Sequence, residues 1–460
     1  MSERTGTLLV IEGGVVATVA GEEYAPGHVV VRGNRIEAVG PGPAPALDGA
    51  EQAGVERVDA TGCLVTPGLV NTHHHLYQWA TRGLAVDDGL FGWLTTLYPI
   101  WARLDEEITT DAAAASLAWL ARTGCTTSMD HHYVFPADGG DLLAAEIEAA
   151  RRIGLRFLAT RGSMDLGRSA GGLPPDHVVE SIDQILAASA AAVDTHHDAG
   201  PDSLLRIGLA PCSPFSVTRD LLAESAKLAR DKGVRLHTHL AETQDEDAYC
   251  RERFGASPLD YLSELGWVAD DVWFAHGIHF DDAGIAALAE AGAGVAHCPT
   301  SNARLGAGIC RLRDLRAAGV PVGLGVDGTA SNEQGSLAAE LHLAALLARA
   351  IGGPTAVTVR DVLETATLGG ARLLGWDDQI GTIEVGKQAD IAIWNLTGLA
   401  HADIVDPVAA LVLGDRPPLD LLLVGGRPVV RGDRLATADE ERLTAAALRA
   451  NRRLLAQADN

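Results

Sequence analysis

Positive charge, and lysine above all, is what this sequence has least of. Three lysines stand beside 33 arginines, and 61 acidic residues outweigh 36 basic ones, for a formal net charge of −25. That sign argues against nucleic acid or an anionic membrane surface as a partner. It favours a neutral or cationic small molecule only weakly, because acidity also serves solubility. Long hydrophobic runs are missing too: none reaches the roughly 20 residues that span a bilayer. The opening Met1-Ser2-Glu3-Arg4-Thr5 does not resemble a signal peptide. The six cysteines (63, 125, 212, 250, 298 and 310) include no Cys-x-x-Cys pair, so they read as reduced core or pocket residues of a cytoplasmic protein.

What the chain does have is enough apolar material for a large fold. With 460 residues, 47% of them hydrophobic and 21% charged, it exceeds the usual single-core limit and is not disordered. Residues 1–66 are strand-rich, as in Leu8-Leu9-Val10-Ile11 and Val29-Val30-Val31, with Gly and Pro at the turns. The texture returns over 376–435, in Ile391-Ala392-Ile393-Trp394 and Leu421-Leu422-Leu423-Val424, so both chain ends are expected to build one small β-sandwich. Residues 436–460 read as a terminal amphipathic helix.

Between them, over 67–375, short apolar runs alternate with Ala- and Leu-rich helical stretches. Eight candidate strands stand out: Leu69–His75, Thr126–Tyr133, Arg156–Met164, Arg206–Pro214, Arg235–Glu242, Val272–Phe280, Gly294–Asn302 and Val322–Gly328. Eight strands with intervening helices over roughly 300 residues predict an α/β fold, a (β/α)8 barrel of the TIM type. A doubly wound open sheet is the alternative.

A barrel places chemistry at the C-terminal ends of its strands, and ten of the 16 histidines (73, 74, 75, 131, 132, 237, 239, 276, 279 and 297) lie at or near such ends. Alternate residues of a strand share a face, so His73 and His75 project together while His74 faces away. Two adjacent imidazoles make half of a metal site. In the fifth strand His237 and His239 share a face, and His239, nearer the mouth, is the better ligand. Glu242 sits just past that strand, where it reaches a substrate over the metal or else caps the next helix. His276 ends the sixth strand, and Asp327 ends the eighth, before a glycine.

These residues stand in stretches that resemble the amidohydrolase superfamily, in its cytosine/guanine deaminase and triazine hydrolase branch. The stretches are Pro67-Gly68-Leu69-Val70-Asn71-Thr72-His73-His74-His75, His239-Leu240-Ala241-Glu242-Thr243, Ala275-His276, His297-Cys298-Pro299-Thr300-Ser301-Asn302, Gly325-Val326-Asp327-Gly328 and Gly381–Asp390. The resemblance implies His73, His75, His239 and Asp327 as metal ligands, Glu242 as proton carrier, and His276 against the reactive water or the substrate. Asp327 is also implied as a catalytic base. Relatives with two ions bridge them through a carbamylated lysine late in the third or fourth strand. Here Lys227 and Lys232 fall in a predicted helix and Lys387 in the sandwich, so one divalent ion is expected. Three His and one Asp suit zinc, with iron second.

The implied reaction is hydrolytic deamination of an aminated heterocycle. Gln78, three residues after His75, matches a His-x-x-Gln pattern of guanine deaminase-like enzymes, and an amide can both donate to and accept from a ring edge. Cys212 stands where guanine deaminases carry an arginine, which turns the reading from guanine itself. With Asp130–Pro136 and Leu97–Trp101, the likeness falls nearest the 8-oxoguanine deaminases, which implies 8-oxoguanine plus water giving urate and ammonia. Gln78, Cys212, Glu242 and His276 are the expected substrate contacts. Isoxanthopterin, other pterins or guanine, or a hydroxylated triazine are the alternative substrates, and a catalytically dead scaffold is the non-enzymatic one. Six of 21 aromatics fall between Leu76 and Arg103, either stacking on a planar ligand or packing between subunits. The resemblance also implies a homodimer or larger assembly.

Overall fold

The computed structural model describes residues 7–47 and 54–458. Eight parallel strands close into a barrel: Leu69–Asn71, Cys125–His132, Arg156–Ser163, Leu205–Pro211, Leu236–Leu240, Val272–His276, Gly294–His297 and Val322–Leu324, in that order around the ring. The expected (β/α)8 barrel is therefore the observed fold, and the open sheet is not. Val272–His276 is a nearly continuous apolar run buried along its whole length, as a strand covered on both faces requires, whereas Cys125–His132 is equally buried although six of its eight residues are polar. Helices surround the ring because the sequence starts and stops them: Asp105, Thr218 and Asp281 accept a hydrogen bond from the first-turn backbone of their helices. Gly154 and Gly233 then end two helices in the left-handed conformation.

Several strands are shorter at their C-terminal ends than the apolar pattern predicts. The first stops at Asn71, the fifth at Leu240, the sixth at His276, the seventh at His297 and the eighth at Leu324. The reason is local backbone. Ala241, His276 and Asp327 adopt φ of 53°, 73° and 61°, which no strand continues through. Cys298 instead opens a short helix, Pro299–Arg304. His73 and His75 thus lie on extended chain just beyond the first strand, not on it.

The floor of the barrel is apolar. Val70, Met129, Leu158, Trp273 and Ala296 pack with Leu373 and Trp376 from the chain that closes the barrel beneath. The mouth is polar, so the fold sets histidines on a hydrophobic base.

Both chain ends join in a second unit of two sheets. A four-stranded sheet runs Arg35–Pro41, Gly27–Arg32, Leu8–Glu12, Val55–Asp59. A seven-stranded sheet pairs Ile391–Asn395 antiparallel with both Cys63–Pro67 and Leu419–Val424. Leu9, Ile11 and Val31 from the first sheet meet Val65, Ile391 and Leu423 from the second. Arg156 at the base of the third barrel strand makes a fully buried two-point ion pair with Asp390, 3.1 and 3.2 Å. The terminal helix, Glu440–Ala458, lies against the barrel helix Glu106–Arg122: Arg122 meets Glu440 at 2.8 Å, and Asn451 donates to the Ala80 carbonyl. Among the described residues, no helix is long and apolar enough to cross a membrane.

Candidate metal centre

Imidazole protons decide what this site can bind, and each is traceable from a carbonyl, which only accepts. Trp273 offers its carbonyl to His237 Nδ1 at 2.8 Å, so that nitrogen carries the proton. Burial holds His237 down at about 3, hence neutral, and its Nε2 must accept from His73 Nδ1, 2.8 Å away. That leaves His73 Nε2 as a bare lone pair, fully buried and without a hydrogen-bond partner. His75 gives its Nδ1 proton to the His131 carbonyl at 2.7 Å, and His239 gives its own to the Cys212 carbonyl at 2.6 Å.

Three Nε2 lone pairs therefore converge. Those of His75 and His239 face each other at 3.1 Å, and Asp327 Oδ1 lies 3.3 Å from Nε2 of both His73 and His75. Burial drives the ring pKa values of His73 and His239 well below the usual range, so they do not hold extra protons. Asp327 is buried against the His73 and His75 rings. Bare nitrogens at such separations repel unless a cation lies between them. The donor set, three neutral imidazoles and one carboxylate, fits a divalent metal ion, with outer partners of the kind that orient metal-binding histidines.

The structure brings together every site residue expected from the sequence. Gln78 sits on the single turn Leu76–Thr81 that follows His75, with both amide atoms buried and unpartnered. A Cβ at Gly328 would lie 1.8 Å from Gln78 Oε1, so a side chain there would push the amide out of its present position. Glu242 stands 3.6 Å from His276 Nε2. Burial first, and then the charge of Asp327, pushes its carboxyl well above the usual range. The next helix is capped by Thr243, which leaves Glu242 free for the cavity instead of the helix end. His276 Nδ1 bonds Asn302 Oδ1 at 2.9 Å, and the thiol of Cys212 is pushed up to about 12 by burial.

His75, Gln78, Cys212, His239, Glu242, His276 and Asp327 line one cavity of about 30 Å³ with Leu90, Trp93, Leu94, Tyr98, Tyr133, Phe215 and Leu305, room for about one water. The aromatic segment after the first strand thus supplies cavity wall through Trp93 and Tyr98. Its Trp101 is core, bonded to Thr81. Periodicity alone did not single out Tyr133 or Phe215, because each reads as ordinary apolar packing.

The histidines without an assigned role also find partners. His74 turns away from the cluster, as expected, with Nε2 2.7 Å from Ser116 Oγ. His131 stacks on His239 at 4.7 Å and bonds the Ala210 carbonyl through Nε2. His132 lies between Glu146 Oε1 and the Val134 carbonyl, 2.8 Å from each.

With this geometry in view, comparison with known proteins decides the family. The profile described as "Amidohydrolase family" matches residues 64–429. The chain belongs to the amidohydrolase family. This amidohydrolase is 46% identical over 415 residues to the 8-oxoguanine deaminase of Pseudomonas aeruginosa, covering 89% of the chain and 91% of that protein. It is 37% identical over 445 residues to an isoxanthopterin deaminase from an unknown prokaryotic organism, covering 92% and 91%. Among solved structures it resembles the atrazine chlorohydrolase of Arthrobacter aurescens complexed with zinc. There the TM-score is 0.91 and the identity 32%, over 96% of this chain and all of that one.

Proposed function

We propose that this amidohydrolase deaminates 8-oxoguanine to urate, with release of ammonia. The observation that carries the reading is the cluster of three bare Nε2 atoms and Asp327 beside a buried, proton-retaining Glu242. The extent of likeness to an 8-oxoguanine deaminase supports the substrate. His73, His75, His239 and Asp327 would hold one divalent ion, zinc by its donor set, which supplies the Lewis acidity that makes water nucleophilic at neutral pH. Lys227 and Lys232 pair with surface aspartates and Lys387 bonds the carbonyl of Asp377, so none is available as a bridge between two ions.

The chain's own groups then handle the protons. Glu242, held neutral by its surroundings, delivers a proton to the ring nitrogen beside the carbon under attack. His276 Nε2 faces the same space and accepts a hydrogen bond from the attacking water or the substrate. Asp327 accepts a proton from the nucleophile and returns it to the departing amine, so that the C–N bond breaks and ammonia leaves while the hydroxyl proton of the adduct passes back to Glu242. Positioned transfers of this kind each contribute roughly 10²–10⁴-fold. The unpartnered Gln78 amide can pair with a purine edge, and Trp93 and Tyr98 offer flat faces to a planar ring. Cys212, an undissociated thiol, leaves room that an arginine would fill.

Ammonia release by zinc-loaded enzyme is the test, with 8-oxoguanine, guanine, isoxanthopterin and a hydroxylated aminotriazine in parallel. A kcat/KM above about 10⁴ M⁻¹s⁻¹ for 8-oxoguanine, well ahead of the others, supports the proposal. Preference for isoxanthopterin or the triazine would keep the deaminase chemistry and reject the substrate.

A further inference from the structure

The stretch His297-Cys298-Pro299-Thr300-Ser301-Asn302 has no part in the chemistry described so far, yet two neighbours on its short helix touch two reacting groups. Ser301 Oγ donates to Asp327 Oδ2 at 2.6 Å, the oxygen opposite the one facing the His73 and His75 rings. Asn302 Oδ1 lies 2.9 Å from His276 Nδ1. All four side chains are buried, and Asn302 Nδ2 has no partner, so the bond to His276 is the one side-chain hydrogen bond Asn302 makes among the described residues.

We propose that Ser301 and Asn302 are positioning residues of the deaminase, one fixing which oxygen of Asp327 faces the metal centre and the other fixing the tautomer of His276. An amide oxygen only accepts, so His276 Nδ1 carries the proton and Nε2, turned towards Glu242, presents a lone pair. His276 and Asp327 both hold left-handed backbone, φ 73° and 61°, a conformation that persists in a non-glycine residue only when its surroundings hold it there. Pro299 pre-sets the first turn of the helix, and Asn302 N closes back on the Cys298 carbonyl at 3.0 Å. The two anchors therefore move as one rigid piece. A hydroxyl and an amide on consecutive residues of a single turn reach the ends of two different strands, which no longer loop would do with the same constancy.

This inference rests on the deaminase reading, and the experiment separates the two. Zinc-loaded parent, Asn302→Leu, Asn302→Asp and Ser301→Ala are compared by kcat and KM, by metal content and thermal midpoint, and by ¹⁵N-histidine NMR. The His276 signals are assigned by their loss in His276→Gln. Asn302→Leu and Ser301→Ala should lower kcat by about 10²-fold with KM changed less than threefold and metal content unchanged. Asn302→Asp keeps an acceptor and should retain at least a tenth of the parental kcat. Without any substrate, His276 Nδ1 should report as protonated in parent and Asn302→Asp, and lose that preference in Asn302→Leu. Protonation on Nε2 in the parent, or equal loss of kcat in Asn302→Leu and Asn302→Asp, would overturn the proposal. A parent enzyme inert towards every heterocycle rejects the deaminase reading alone, because the NMR arm still decides the tautomer.

Discussion

At the scale of single residues, the site is built by proton direction more than by proximity. His237 illustrates this: it shares a strand face with His239 but sits one layer deeper, stacked on Trp273 at 4.5 Å, and its task is to accept the His73 proton. Replacing His237 with Phe should lower metal affinity by about 10–100-fold without removing a ligand, measurable by competition with a chromogenic chelator. Unchanged affinity would mean that His73 orients itself. Glu242→Gln keeps the size and hydrogen bonding of the side chain but removes the transferable proton. A fall in kcat of at least about 10²-fold with full metal content is expected from steady-state assays and elemental analysis.

At the scale of elements, the C-terminal end of the second strand and the helix Leu142–Ile153 share a buried carboxyl. His132 gives its Nε2 proton to the Val134 carbonyl, so its Nδ1 accepts from Glu146 if both groups are neutral. Burial supports this, raising Glu146 to about 8 and lowering His132 to about 4. The folded state keeps a Glu146 proton that the unfolded chain releases above about 4.5, and lacks a His132 proton that the unfolded chain holds up to about 6.5; the two slopes offset at lower pH, so stability falls as pH rises from about 6.5 to about 8. Glu146→Gln, which cannot ionise, should remove that fall in urea unfolding. A second element-scale expectation concerns the helix Leu90–Trp101. The cavity of about 30 Å³ is smaller than a bicyclic ring, and Leu90 and Leu94 of this helix line it, so the helix is expected to move when one binds. Amide exchange over residues 82–101 should slow when a non-hydrolysed purine analogue binds, and unchanged exchange would place the entry elsewhere.

At the scale of the whole molecule, the barrel and the sheet unit are joined by the Arg156–Asp390 pair, buried on both sides, with Gly425 N also donating to Asp390. Removing one partner of such a pair strands the other charge away from water. Asp390→Ala should therefore cost about 3–5 kcal/mol, read as a drop in the urea midpoint while residual folded enzyme keeps its KM.

Much of this was legible in the chain because barrel chemistry follows strand order. His73, His75, His239 and Asp327 could be placed at strand ends from apolar runs alone, and their identity with a known ligand pattern came from the flanking residues. The Leu9, Ile391 and Leu423 runs likewise announced a second β unit. The ends of the strands were not legible, since the left-handed turns at Ala241, His276 and Asp327 are set by tertiary surroundings, and Asp and His merely adopt that conformation more readily than most residues. The anchors of Ser301, Asn302 and Glu146 were equally hidden, because their partners lie 14 to 26 positions away. Local sequence determined where the candidate site residues fall relative to the strand ends and how the strands alternate with helices, as both depend on side-chain type and short-range periodicity. Only the closed barrel decided which nitrogen of each histidine faces the centre, because that depends on carbonyls and side chains brought alongside from neighbouring strands.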